Sequence, residues 1–459
     1  MSYETAVARM FALGHELANV PSHKFDLAHM RVLLEALDHP ERGFPSVLIA
    51  GTNGKGSTAA TLASILQASG LKTGLYTSPH LVRINERIRV NGGEISDGDF
   101  ASLHSEVDRV AEKLVGRVEL PWHPSFFEMM TAIAFEYFAP EKVDIAVLEV
   151  GMGGRLDATN VVEPRVSVIT DISLDHQKFL GETLHEIARE KAGIIRPGGA
   201  VVTLPQQPEA NDVIGNTILD LGARAINAVP YVPPVSPGSA QYVPRARPMT
   251  TEDTEEFRGN LSRYPLQVLS EQILVESPLL GRHQLRNVAL AIAAAVELNQ
   301  QGFNSIRAKT IETGIRGTHW PGRFQVIAAR PGWPEIVIDA AHNPAGAWAL
   351  RSVLSERYEN RSLIFVFGAM RDKAISEMTE ILFPLAERVI ATRPANPRAA
   401  SAEDIRRAAA RTGVEIEAVD DVREALERAR SLAADNAVVV VAGSIYLVGE
   451  VMPLVGVEL

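Results

Sequence analysis

The densest set of residues able to do chemistry is Ser46-Val47-Leu48-Ile49-Ala50-Gly51-Thr52-Asn53-Gly54-Lys55-Gly56-Ser57-Thr58. A buried apolar run ends in a glycine-rich turn, then a lysine and two hydroxyls. Glycines let successive backbone N–H groups point at one anion. A following helix, expected over Ala59 to Ser69, adds the positive end of its dipole. Lys55 can reach terminal phosphates, and a hydroxyl can touch a metal. The usual phosphate loop puts four residues between its first glycine and Gly-Lys, which would place that glycine at Ile49. Here the loop is shorter, and Gly56 separates Lys55 from Ser57. A plain glycine-rich turn is the alternative, disfavoured by the lysine and by the flanking elements.

Other reactive types fall just after apolar strands, where open parallel sheets bind ligands. Ser78 follows Lys72 to Tyr76, Glu149 lies within Val143 to Val150, and Asp175 and His176 follow Val166 to Thr170. If those strands are neighbours, one crevice gathers a phosphate loop, a hydroxyl, a carboxylate and an imidazole. Oxygen donors with phosphate suit magnesium better than zinc. Each residue has a plainer reading. Ser78 could be a turn residue before Pro79, His176 could cap a turn before Gly181, and Glu190-Lys191 could be a solvated helix pair. Glu149 is harder to dismiss, because a carboxylate so close to a buried strand needs a partner. Arg323 is a cation in a domain joint, and Asp339-Ala340-Ala341-His342-Asn343-Pro344 follows a later strand. An Asx-type turn opening a helix is the plainer reading of that last stretch.

These residues need a frame. Strands alternating with helices predict α/β architecture with two doubly wound domains: a larger N-terminal phosphate-loop domain with a mainly parallel sheet, and a smaller Rossmann-like C-terminal one. The expected division is 1–318, a linker at 319–324, and 325–459. Helices are expected at Thr5 to Ala18, Met30 to Leu37, Asp99 to Leu114, Ser125 to Tyr137, Leu184 to Ala192 and Gly281 to Asn299. A further strand is expected at Ala200 to Leu204. In the second domain strands are expected at Glu335 to Ile338, Leu363 to Phe367, Arg388 to Ala391, Glu415 to Val419 and Ala437 to Val441. Its helices are expected at Ala345 to Ser355, Ala402 to Thr412 and Val422 to Ala433. Residues 230–260, rich in proline, read as an irregular insertion.

The 459 residues are too many for one core. No run approaches a bilayer span, and Met1 to Val20 lacks the pattern of a signal peptide, so no membrane partner is expected. The absence of cysteine excludes disulfides, thiolate metal sites and a cysteine nucleophile, and fits the cytoplasm. A formal charge of -11 argues against nucleic acid as a partner.

Together these motifs, with Phe127-Glu128, Glu149 to Asn160, Gly281 to Ala289, Pro321 to Phe324 and Gly443 to Tyr446, resemble one family in order and spacing. It is the dihydrofolate synthase/folylpolyglutamate synthase branch of the Mur ligase superfamily. The resemblance covers nearly the whole chain, and makes the short phosphate loop a family feature. It implies an ATP-dependent ligase joining L-glutamate to dihydropteroate and to tetrahydrofolate through an acyl phosphate, with closure of the two domains. Thr52, Asn53, Gly54, Lys55, Gly56, Ser57, Asn287, Arg323 and Asp339 would bind ATP. Ser78 and Glu149 would hold one Mg2+ and His176 a second. Lys191 would be the carbamylated lysine of the superfamily, reversing its plainer reading, and His342 would help place glutamate. Lys24, Phe25, Asp26, Leu27, Ser125, Phe126, Phe127, Glu128, Leu156, Asp157 and Ala158 match the pteroate pocket; Ser125 stands where threonine is common. A monomer is expected. The rivals are a polyglutamate-adding enzyme alone, a phosphate-loop kinase or nucleotidase, a silent nucleotide-binding module, and a peptidoglycan-precursor ligase.

Overall fold

The computed structural model describes residues 1–14, 27–233, 261–434 and 436–457. They fall into two compact units. The larger takes the described part of Met1–Tyr242 with Arg263–Ser277 and Arg286–His319. The smaller takes Pro278–Leu285, the described part of Trp320–Leu459 and the described end of Val243–Ser262.

The sheet of the larger unit comprises β1 (Ser46–Ala50), β2 (Thr73–Tyr76), β3 (Ile88–Val90), β4 (Gly93–Glu94), β5 (Ile145–Glu149), β6 (Val166–Ile169), β7 (Ala200–Thr203) and β8 (Arg224–Asn227). Their order is β4-β3-β2-β5-β1-β6-β7-β8. From β2 through β8 all neighbours are parallel, and β3 and β4 add an antiparallel edge. Every residue of β1 and β5 is buried, as continuous apolar runs in a doubly covered sheet require. Ile49 stands beside Glu149 and Ala50 beside Ile169, while Tyr76 stands beside Leu148. The segments after β2, β5, β1 and β6 therefore leave one edge of the sheet side by side. Strand order was the condition on which the crevice depended, and it is met.

Behind β1 runs the helix Lys55–Ala68, buried along most of its length. It begins four residues before the expected Ala59, because Gly54, at φ 86°, caps it and lets Lys55 enter the first turn. It packs on the helix Ala308–Arg316, where a side chain at Gly314 would collide with the backbone of Ile65. Ser64 Oγ donates to the carbonyl of Gly314 at 2.6 Å. The two strands β9 (Ser262–Val268) and β10 (Glu271–Ser277) form a separate sheet and were not foreseen. They are joined by Leu269 and Ser270, both in the left-handed region, where no glycine or asparagine marks a turn. The first helix runs Tyr3–Ala12, and residues 15–18 of its expected span lie outside the described residues. So do 234–260, most of the proline-rich stretch.

In the smaller unit β11 (Gln325–Ile327), β12 (Glu335–Ile338), β13 (Ser362–Phe367), β14 (Arg388–Ala391), β15 (Ile416–Ala418) and β16 (Ala437–Ala442) pair in the order β11-β12-β16-β13-β14-β15. Only β11 is antiparallel to its neighbour among the described strands of this sheet. The all-apolar β16 is fully buried and central. Helices Pro208–Asp220, Ala308–Arg316 and Ile375–Leu382 were likewise not foreseen.

Candidate active site

The phosphate loop is pinned from behind. Thr52 and Asn53 both donate their backbone N–H to the carbonyl of Asp171, at 2.9 and 3.1 Å. Thr52 Oγ1 donates to the carbonyl of Ser173 at 3.0 Å and accepts its N–H at 3.1 Å. Asn53 Nδ2 donates to Ser173 Oγ at 3.0 Å. The first intrahelical bond runs from Thr58 N–H to the carbonyl of Gly54 at 2.9 Å. The N–H groups of Lys55, Gly56 and Ser57 therefore form the anion-seeking first turn of the helix. Gly54 abuts the buried amide of Asn287, and a Cβ there would overlap Asn287 Oδ1.

Two lysines flank this loop. Lys55 Nζ donates to the carbonyl of Thr52 at 3.3 Å. Lys191 Nζ donates to the carbonyl of Gly51 at 2.7 Å, and the residue is only 4% exposed. The solvated-pair reading of Glu190-Lys191 thus fails: Glu190 turns outward to Arg155 at 2.9 Å while Lys191 is sealed in. Burial, and then the Lys55 charge, push the Lys191 ammonium down to about 7, against the pull of Asp175, Asp157 and Glu190.

Glu149 ends β5 with 4% exposure, and its Oε2 accepts the N–H of Ser78 at 3.2 Å. The two residues are therefore neighbours. A buried carboxylate and a hydroxyl at the phosphate edge are hard oxygen donors, and this donor set fits Mg2+. Glu149 and Ser78 would hold it there. His176, at φ 51°, heads the single turn Gln177–Leu180 and draws its N–H to Asp175 Oδ1 at 2.8 Å. Its main chain thus does the capping of the plainer reading, while its ring stays on the segment after β6. Among the described residues no three histidine, aspartate or glutamate side chains converge as a ready metal cage.

The loop after β5 explains its glycines. A Cβ at Gly154 would press on the carbonyl oxygens of Glu190 and Lys191, at 2.8 and 3.0 Å. A Cβ at Gly151 would lie 2.5 Å from the Phe127 ring. Asp157 is buried, and burial raises its pKa against bonds from the N–H of Met152 and of Thr159, each at 3.0 Å. Leu156 and Ala158 flank it, half-buried and buried. Ser125 caps the helix Phe126–Phe138 and pairs reciprocally with Glu128, whose Oε1 also meets His29 Nδ1 at 3.0 Å. The Arg87 guanidinium lies 5.1 Å over the Phe126 ring. Leu27 opens the helix Leu27–Ala36; Lys24, Phe25 and Asp26 lie outside the described residues.

In the smaller unit Asp339 follows β12, buried, and accepts the N–H of Phe324 and of Ala341, each at 2.8 Å. Burial raises its pKa, and Arg323 opposes that. Arg323 Nη1 donates to the carbonyl of Gly322 at 3.0 Å. His342 Nδ1 lies 2.9 Å from the carbonyl of Ala340. Asn343 caps the helix Pro344–Arg357, so the Asx-type turn of the plainer reading is present. Sequence reasoning missed His29, Asp171, Ser173 and Arg286. Arg286 precedes Asn287 directly, yet nothing in the sequence pairs it with Asp171.

Residues 123–295 match the family described as Mur ligase middle domain, and residues 322–445 match Mur ligase, glutamate ligase domain. The dihydrofolate synthase/folylpolyglutamate synthase of Bacillus subtilis is 35% identical over 93% of this chain and 94% of its own. The structure of Mycobacterium tuberculosis folylpolyglutamate synthase complexed with ADP has a TM-score of 0.81 at 28% identity, covering 100% of both chains. That of E. coli FolC in complex with DHPP and ADP has a TM-score of 0.77 at 28% identity, over 99% of this chain and 98% of that one.

Proposed function

The chain belongs to the dihydrofolate synthase/folylpolyglutamate synthase family of Mur ligases, and from that premise we propose that it carries out both named activities, on dihydropteroate and on tetrahydrofolate. It is an ATP-dependent amide ligase that joins glutamate to folates. The observation that carries the reading is the buried Lys191 beside a phosphate loop whose neighbouring strand β5 ends in Glu149, with Ser78, just after β2, donating its N–H to that carboxylate.

The reaction joins anions, so positive charge must gather first. The acceptor carboxylate attacks the γ-phosphorus of ATP, and ADP leaves. Lys55 and the helix N-terminus at Lys55–Ser57 neutralise charge on the terminal phosphate. Magnesium held by Ser78 and Glu149, with a second at His176, would screen the phosphate oxygens. The acyl phosphate is then attacked by the glutamate amine, phosphate is expelled, and the amine proton passes to solvent or base. Asn287, Arg323 and Asp339 are assigned to ATP, and His342 to placing glutamate.

Lys191 is assigned a carbamate. A lysine depressed to about 7 is substantially a neutral amine near neutrality, and the neutral amine is what attacks carbon dioxide. The product would be an anion facing Lys55, relieving the repulsion that the two lysines now share. The segments at Leu27, Ser125 to Glu128 and Leu156 to Ala158 are assigned to the pteroate, with Lys24, Phe25 and Asp26. These segments favour the bifunctional reading over the polyglutamate-adding one, and the folate relatives disfavour a peptidoglycan ligase. A monomer in the cytoplasm is the assembly and place we assign; among the described residues no helix is long and apolar enough to cross a membrane.

The test is phosphate release with ATP, Mg2+ and glutamate, offering dihydropteroate and then tetrahydrofolate. Glutamate-dependent release with each is expected. Release with tetrahydrofolate alone would remove the dihydrofolate synthase activity from the proposal, and release independent of glutamate would favour a nucleotidase.

A further inference from the structure

We infer that Arg286 and Asp171 form a positioning pair that sets the phosphate loop for ATP, an inference that rests on the ATP-dependent reading above. Arg286 Nε lies 3.1 and 3.0 Å from the two carboxylate oxygens of Asp171, and its Nη2 lies 2.5 Å from Oδ1. The same Nη2 donates to the carbonyl of Pro205 at 3.0 Å. Arg286 thus ties the helix Arg282–Gln300 to the segments after both β6 and β7.

The other face of Asp171 holds the loop. Its carbonyl takes the N–H groups of Thr52 and Asn53, and Ser173 takes both side chains. Asn287, next to Arg286, fills the space against Gly54. A sideways shift of Asp171 would move Thr52 and Asn53, and with them the first turn at Lys55. A shift of Arg286 would move the Asn287 amide off Gly54. The pair therefore fixes the loop from two directions without touching nucleotide.

Exposure separates this role from simple stabilisation. The two side chains are 32% and 34% exposed, and ion pairs that open to water contribute little to global stability. A purely structural pair would leave ATP affinity alone. A positioning pair moves ATP affinity while melting temperature stays nearly fixed. Lysine at position 286 keeps the charge and loses the fork, so it should rescue only partly.

The experiment compares ATP affinity by calorimetry, the KM for ATP, the KM for glutamate and the melting temperature in R286A, R286K, D171N and R286A/D171N. Asp171→Asn keeps the carbonyl that holds the loop and removes only the charge. Expected are about a five- to twentyfold weakening for ATP in R286A and D171N, a smaller one in R286K, and no further loss in the double variant, because contacting partners are coupled. The KM for glutamate should not move. Unchanged ATP affinity in both single variants, additive losses in the double variant, or a shared loss for ATP and glutamate with a large fall in melting temperature would overturn the inference. Wild-type protein that fails to turn over ATP would overturn the functional reading instead, so the two failures are distinguishable.

Discussion

Lys55 and Lys191 share one small space, and we assign them opposite tasks. Lys55 is proposed as a cation for phosphate; Lys191 is buried against the carbonyl of Gly51 and depressed to about 7. Lys55→Ala should lower turnover by about a thousandfold, in line with the loss of a charge that acts mainly in the transition state. Its fold should survive, which circular dichroism would check. Lys191 has a stability signature. Folded, it releases its proton near pH 7; unfolded, near 10.5. Between those values the unfolded chain holds the extra proton, so this lysine makes stability rise with pH across the window. Lys191→Met should flatten that slope in thermal unfolding from pH 6 to 9. The carbamate has a separate signature: activity should fall in buffer stripped of carbon dioxide and return with bicarbonate. Unchanged activity under both conditions would remove the carbamate from the mechanism.

Helices carry their own electrostatics. On the helix Phe126–Phe138, burial first, and then the charges of Glu106 and Asp38, push the Glu136 carboxyl up to about 7. Folded Glu136 keeps its proton to higher pH than the unfolded 4.5, so stability falls as pH rises from 4.5 to about 7. Glu136→Gln should therefore stabilise at pH 8 by about 1 kcal/mol, a figure discounted for solvent screening, and give no gain at pH 4. Denaturant melts at the two pH values would show it. Elements were legible where one pattern ran unopposed: β12, β14 and the helix Leu184–Ala192 stand at their expected limits. The β9 and β10 pair was not, since its left-handed Leu269-Ser270 connection carries no turn signal. In the candidate site, the phosphate loop, Glu149 and Ser78 could be read from types placed after strands. The Asp171–Arg286 pair could not, because it joins residues far apart in sequence through side-chain geometry. The burial of Lys191 was hidden too: Gly154, where a Cβ would press on the Lys191 carbonyl, and Gly193, where one would meet Arg155, let the loop after β5 approach that position.

At the scale of the whole molecule, the residues assigned to the chemistry divide between the two units. Lys55, Ser78, Glu149, His176, Lys191 and Asn287 belong to the larger unit, and Arg323, Asp339 and His342 to the smaller. The acidic balance of -11 gives no general attraction for anionic substrates, so local charge at the loop must supply it. The acyl phosphate we propose is the step that would separate this ligase from a nucleotidase. It is tested most directly with tetrahydrofolate whose glutamate carboxylates carry oxygen-18, supplied with ATP, Mg2+ and unlabelled glutamate. One labelled oxygen is expected in each phosphate released, matched by one glutamate added to the folate. Unlabelled phosphate, or phosphate released without a glutamate adduct, would contradict carboxylate attack on ATP.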